Sequence, residues 1–149
     1  MLNLDYKIAT KIIALRLEKI LPNIIHPCQS GYVKGRFIGD SIRLIADIMH
    51  FTKQKEIPGV AVFLDFEKAF DSIEWNLVHK CLETLNFGPD LRQWIKVFYN
   101  NISSCVMNNG HASRHFNQEH GVRQGYPVSG TLFVTAMELL SQCIRAQKK

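Results

Sequence analysis

Val60-Ala61-Val62-Phe63-Leu64-Asp65-Phe66-Glu67-Lys68-Ala69-Phe70-Asp71 is the stretch on which the fold turns. It opens with an apolar run containing two β-branched valines, and Pro58-Gly59 just ahead marks a turn. A run this short, bounded in this way, predicts a strand buried on both faces. Asp65 follows at once, which puts a carboxylate at the rim of the core. An unpaired charge is costly there, so it needs a cation, hydrogen-bond donors or solvent. A hard divalent ion is one suitable partner, because it prefers oxygen ligands and takes few of them from protein. Spacing alone leaves Asp65 evenly balanced between a metal ligand and an ion-pair partner. Asp71, ahead of a helix expected near Ser72, reads as an N-cap or first-turn acid. Glu67 reads as solvated or paired with Lys68.

Outward from this stretch the pattern is mostly helical. Upstream, a helix is expected from Asp5 to Leu21. Ile8, Ile12 and Leu15 share one face, with Ala9, Ile13, Leu17 and Ile20 beside it, and Pro22 ends it. His26 to Phe37 is loop or hairpin. A second helix starts at about Asp40, with Ile38, Ile42, Ile45 and Met49 at helical spacing. Downstream, Trp75, Val78, Leu82 and Leu85 form the stripe of a third helix running from near Ser72 to about Asn86, and Gly88 follows its end. Pro89 suits the first turn of a fourth helix, with Leu91, Trp94, Ile95 and Phe98 facing inward. Ser103 to Gln118 reads as a hairpin around Asn108-Asn109-Gly110. Gly121, Gly125, Pro127 and Gly130 keep the next stretch irregular. A last helix starts near Ser129 or Thr131, with Ser129 read as its N-cap. Strands and helices do not alternate as a doubly wound sheet requires, so the class is α+β.

The chain has 149 residues, 46% hydrophobic and 21% charged, as in ordinary globular domains. That length suits one domain or a piece of one. No apolar run approaches the roughly 20 residues that span a bilayer, and the N-terminus does not read as a secretory signal. Cys28, Cys81, Cys105 and Cys143 form no C-x-x-C pair, which argues against zinc and for reduced thiols. An intracellular place, nucleus or cytoplasm, is the expectation. The net charge of +5 suits a partner rich in phosphate.

Phe63 to Asp71 resembles the first catalytic motif of non-LTR (LINE-type) retrotransposon reverse transcriptases, in which a strand delivers an Asp and A-F-D follows. Gly121-Val122-Arg123-Gln124-Gly125-Tyr126-Pro127-Val128-Ser129-Gly130-Thr131-Leu132-Phe133 is similar to the next motif, whose usual form is R-Q-G-C-P-L-S-P-x-L-F. Leu2 to Lys7 and Gln29 to Arg36 resemble two early fingers segments. The segments occur in the family's order across nearly the whole chain, which makes the signal specific.

The resemblance implies a right-hand polymerase. Residues 1–58 would supply fingers segments, and 59–149 the first half of the palm with intervening fingers elements. It implies nucleotidyl transfer by two metal ions, Mg²⁺ or Mn²⁺, copying an RNA template onto a DNA primer with deoxynucleoside triphosphates. Asp65 and the backbone carbonyl of Phe66 would hold metal. Phe70 would be the steric gate against a ribose 2′-OH, although it also reads as a core aromatic. Lys34 and Arg36 would neutralise the triphosphate. Gln124 and Gly125 would border the nucleotide, Gly125 letting the backbone come close. Arg123 would contact template or support its loop.

Three positions depart from the family pattern: Tyr126 stands for Cys, Val128 for Leu and Gly130 for Pro. The family's second catalytic motif, two adjacent aspartates, is absent, and no Asp follows Asp90. The expectation is a fragment inactive alone and marginally soluble. Two alternatives stay open, a non-catalytic nucleic-acid-binding remnant using Lys34, Arg36 and Arg123, and a plain structural protein.

Overall fold

Helix propensity and apolar spacing produce five helices among the residues described by this computed structural model, which are 4–123 and 125–147. They are α1 (Leu4–Ile24), α2 (Ile38–Gln54), α3 (Trp75–Thr84), α4 (Pro89–Phe98) and α5 (Ser129–Ala146). Short strands β1 (Ser103–Ser104), β2 (Met107–Asn108), β3 (His111–Ala112) and β4 (Phe116–Asn117) lie between α4 and α5. The result is a mixture of helices and small antiparallel sheets. None of the described helices is long and apolar enough to cross a membrane.

The core lies where α3 packs on α4 and α5, and α1 packs on α5. Val78, Cys81 and Leu82 of α3 meet Ile95 and Phe98 of α4, and Leu132 and Ala136 of α5; all are buried. Ile13, Ala14 and Leu17 of α1 close the other side. Full burial of a side chain such as Leu82 or Ile95 contributes about 1.5–3 kcal/mol. Leu21, Ile25, Val33 and Val134 form a second, smaller cluster.

The buried stripe of α1 is Thr10, Ile13, Ala14, Leu17 and Leu21. The expected face of Ile8, Ile12 and Leu15 is exposed instead. Both stripes have helical spacing, and contact with α5 selects between them. The helix also runs past Pro22, in its last turn, where a missing N–H costs one bond only. Gly88 is the N-cap of α4 and has an ordinary negative φ. The left-handed residue just past α3 is Asn86. Trp94 faces solvent, whereas Ile95 and Phe98 face the core.

The hairpin forms as expected. Met107 pairs with Ala112 and Asn108 with His111 around an Asn109-Gly110 turn, both of whose residues have positive φ. Below it Ser103 pairs with Asn117 and Ser104 with Phe116. The register shifts between the two pairs, which leaves a bulge where the Ser113 N–H donates to the Val106 carbonyl (2.8 Å) and the Val106 N–H to Ser113 Oγ (2.9 Å).

The expected strand at Val60–Leu64 does not form. These residues have no regular structure, and Val60, Val62, Phe63 and Leu64 are at least 70% exposed. A strand holds only where a neighbour completes its ladder. The described strands pair among themselves, β1 with β4 and β2 with β3. Helix α2 is in the same situation. It keeps its apolar stripe of Ile38, Ile42, Ile45 and Met49, yet buries none of its residues.

Candidate functional site

The chain turns sharply just after Asp65. Lys68 adopts φ 49°, and its carbonyl accepts the N–H groups of Asp71 (2.8 Å) and Ser72 (3.0 Å) and the Ser72 hydroxyl (2.7 Å). Helix α3 starts only at Trp75, so Asp71 is not its cap; the cap position belongs to Glu74. The carbonyl of Asp71 instead bonds Nδ1 of His120 (2.7 Å). Asp65 and Phe66 lie on the exposed segment ahead of this turn. No ion pair reaches Asp65 among the described residues.

The turn is joined to the glycine-rich segment some fifty residues later. The N–H of Val122 donates to the Phe70 carbonyl (2.7 Å), and the N–H of Gly121 to the Ile73 carbonyl (2.8 Å). The Trp75 indole N–H donates to the Gly121 carbonyl (2.9 Å). Gly121 has φ +92°, and a Cβ there would sit 2.9 Å from the Asp71 carbonyl oxygen. Glycine is therefore required twice over, for its dihedral and for the close approach of two backbones. This approach is between two parts of the chain itself. Gly125 has φ +86° but open space around it.

Phe70 stacks on Phe133 of α5, centroids 4.8 Å apart, and Tyr32 stands edge-on to both rings. Three of the sequence segments singled out above thus meet in one aromatic cluster. A Cβ at residue 130 would lie 2.6 Å from the Tyr32 ring, so Gly130 makes the seat for that ring. Proline in its place would collide with Tyr32. Ser129 is the first residue of α5 rather than its N-cap, and its hydroxyl donates to the Arg123 carbonyl (2.6 Å).

Arg123 Nε donates to Gln118 Oε1 (3.0 Å), and one Nη donates to the Tyr126 hydroxyl (2.8 Å). The Tyr126 ring stacks on Tyr6, whose hydroxyl donates to the Phe98 carbonyl. Burial first, then the neighbouring Tyr126 and Tyr99, raises the Tyr6 pKa. Burial likewise pushes Tyr99 up to about 12. Tyr126, a departure from the family pattern, thereby ties the glycine-rich loop to α1.

The two basic residues expected to face phosphate behave differently. Lys34 is exposed, and its Nζ lies 3.9 Å from Glu18, a weak surface contact. Arg36 offers no open guanidinium, because it donates to the carbonyls of Pro22, Ile25, His26 and Gln29 at 2.6–2.9 Å. Carbonyls at a helix C-terminus lack intrahelical donors, and a planar fork satisfies several at once. In this structure Arg36 pins the loop to the end of α1. Gln124 lies outside the described residues.

As a metal centre the site is partial. Asp65 and the Phe66 carbonyl are hard oxygen donors of the kind Mg²⁺ takes. Among the described residues no three His, Cys, Asp or Glu side chains gather to hold an ion. The donors present therefore do not make a complete shell.

Sequence reasoning gave no individual role to Gly121, Tyr32 or the buried Glu138. The Glu138 carboxylate accepts from Arg145 (2.5 Å), Gln142 (3.2 Å) and the backbone N–H of His26 (3.1 Å). Glycine at 121 was visible in the sequence, but which backbone it meets is a tertiary fact.

Residues 1–149 match the family model described as reverse transcriptase (RNA-dependent DNA polymerase). Over 93% of the chain, it is 38% identical to the transposon TX1 uncharacterized 149 kDa protein of Xenopus laevis, of which it covers 11%. Over 87% of the chain, it is 28% identical to the retrovirus-related Pol polyprotein from type-1 retrotransposable element R2 of Popillia japonica, of which it covers 18%. The chain thus spans only a tenth to a fifth of the length of these relatives.

Proposed function

The chain belongs to the reverse transcriptase family, and from that premise we propose that it forms the nucleotide-facing part of an RNA-directed DNA polymerase of a non-LTR retrotransposon. Residues 1–58 serve as fingers segments, and 59–149 as the first half of the palm with intervening fingers elements. The observation that carries this reading is the hydrogen bond from Val122 to Phe70. It brings the Asp65 segment and the Gly121–Gly130 loop to one place, as a shared nucleotide site requires.

In this reading the chain's own groups bind and orient. Asp65 and the Phe66 carbonyl hold one side of a divalent cation, which when bound neutralises charge on the reacting phosphate oxygens. Phe70, fixed by Phe133 and Tyr32, stands beside the sugar and selects deoxynucleotides. Lys34 supplies positive charge to the triphosphate, and Arg36 acts by holding Lys34's loop against α1. Gln124 and Gly125 border the nucleotide, and Arg123 contacts the template strand. The rest of the metal shell, and cover for α2 and residues 60–66, come from other parts of a longer protein. RNA template, DNA primer and deoxynucleoside triphosphates are the partners.

Primer extension on an RNA template with Mg²⁺ tests the proposal. The 149-residue chain alone gives no extension. A longer natural protein that contains it and supplies two adjacent aspartates extends the primer, and Asp65→Ala abolishes this. Extension by the isolated chain that is lost in Asp65→Ala would overturn its status as a fragment. Extension by the longer protein that survives Asp65→Ala would overturn the role of Asp65. Nucleic-acid binding without extension in the longer protein would favour a binding remnant.

A further inference from the structure

One face of α5 carries the loop that leads to Lys34. Gly130, Val134 and Glu138 follow one another at intervals of four, which aligns them along a single stripe of the helix. Gly130 seats the Tyr32 ring, Val134 packs with Ile25 and Val33, and Glu138 accepts the His26 N–H (3.1 Å). We infer that Glu138 is a positioning residue, which keeps Lys34 in register with α5 so that its ammonium meets the phosphates of an incoming nucleotide. The inference rests on the polymerase reading proposed above, in which no role falls to Glu138.

The Glu138 carboxylate is divided between two tasks. Its Oε1 accepts from Gln142 (3.2 Å) and Arg145 (2.5 Å), both on α5 itself. Its Oε2 accepts from His26, 112 residues away in sequence. His26 is gripped from its other side as well, since its carbonyl accepts from Arg36 Nη1 (2.7 Å). One residue of the loop thus has a carboxylate on its N–H and a guanidinium on its C=O. Hydrogen bonds with one ionised partner are roughly twice as strong as neutral ones. Glu138 is only 1% exposed. Burying a carboxylate is costly, and a helix that needed only packing here would be served by leucine. A charge at this depth instead fixes a single register for the loop.

The path from His26 to Lys34 is short and braced. The Gln29 N–H donates to the His26 carbonyl (3.0 Å), and the Arg36 N–H to the Val33 carbonyl (3.2 Å). Val33 is buried in the cluster that contains Val134. Lys34 follows Val33 directly, and its exposed side chain has only the 3.9 Å contact with Glu18 among the described residues. Its placement therefore comes from the backbone, which Glu138 and Val134 set on α5. The same helix holds Phe133 against Phe70 and begins at the glycine-rich loop. Fixing the loop to α5 sets the spacing between the Lys34 charge and the rest of the nucleotide site.

The test is steady-state primer extension by the longer natural protein, with the deoxynucleotide concentration varied. Glu138→Leu removes the acceptor for His26. It is expected to raise KM about ten-fold, the scale of one hydrogen bond to a charged group, with kcat within about two-fold of native. Arg145→Met disturbs Oε1 and leaves the His26 bond, so its KM is expected to stay within about two-fold of native. A merely structural role would move both variants alike. Glu138→Gln keeps a carbonyl oxygen for the His26 N–H and is expected to hold KM within about three-fold. Lys34→Met is expected to raise KM to a similar degree as Glu138→Leu and to add little to it, because the two act through one contact. An unchanged KM in Glu138→Leu overturns the inference, and so does an effect that multiplies in full with that of Lys34→Met. Should Glu138→Leu fail to fold, amide exchange in the native 149-residue chain decides. A protected His26 amide supports the tie, and one that exchanges as freely as an unstructured peptide overturns it. Failure of the native longer protein to extend a primer sinks the polymerase reading and this inference with it. Extension with KM unchanged in Glu138→Leu sinks the inference alone.

Discussion

Replacing Gly121 with alanine strikes the joint between the two halves of the candidate site. Alanine at φ +92° costs about 1–2 kcal/mol of backbone strain. Its Cβ would also lie 2.9 Å from the Asp71 carbonyl oxygen and 3.2 Å and 3.3 Å from its Cα and carbonyl carbon. These are main-chain atoms, which have no rotamer into which to retreat. Relief means parting the two backbone segments, which weakens the Gly121–Ile73 and Val122–Phe70 bonds, each worth about 1 kcal/mol net. The smaller unfolded-state entropy of alanine returns about 0.4–1 kcal/mol. The expected loss is therefore about 2–3 kcal/mol, a large share of a stability of about 5–15 kcal/mol. Gly125→Ala is the control. It carries similar strain at φ +86° in open space, so about 1 kcal/mol is expected. Urea unfolding followed by circular dichroism and tryptophan fluorescence measures both variants. Trp75 reports locally, since its indole donates to the Gly121 carbonyl. If the two variants differ by less than about 0.5 kcal/mol, the contact with Asp71 is not as described.

Three further outcomes are expected. Arg36→Lys loses a fork that spans four carbonyls and should lower stability by about 2 kcal/mol in a denaturant melt. An unchanged midpoint would mean that the guanidinium is free. Arg145→Met strands the buried Glu138 carboxylate with neutral donors only and should cost about 2 kcal/mol, less than the usual loss for a broken buried pair because those donors remain. Glu138→Gln, which leaves a partly exposed Arg145, should cost less, and the reverse order would contradict the burial of Glu138. His79 has its pKa lowered, chiefly by burial and then by Lys96. The folded chain binds its proton more weakly than the unfolded chain, so the stability this contributes is present above about pH 6.5 and fades as pH falls through the folded value. Stability measured from pH 8 to 5 should decline less steeply in His79→Gln, and identical slopes would refute this.

The legible parts of the fold were those that local chemistry decides. Pro89 at the first turn of α4, the Val78–Leu82 stripe of α3 and the Asn109-Gly110 turn each carry their own signal, and each formed. Choices that depend on a neighbour were not legible. Helix α1 has two apolar faces at helical spacing, and only α5 determines which is buried. Val60 to Leu64 has the composition of a buried strand but no partner strand among the described residues, so it stays exposed and irregular. At the site, the Asp65 and Gly121–Gly130 segments were visible as motifs. That Gly121 packs on the Asp71 backbone, and that Arg36 is held by carbonyls, follows from tertiary contacts with no sequence signature.

Mn²⁺-induced broadening of amide resonances in the chain addresses Asp65 most directly. Mn²⁺ takes the same hard oxygen ligands as Mg²⁺ and reports its position through relaxation. Selective broadening of residues 64–67 at millimolar ion, abolished by Asp65→Asn with the fold unchanged, is the expected result. Broadening centred elsewhere, or undiminished in Asp65→Asn, would contradict the assignment of Asp65 as the group that receives the cation.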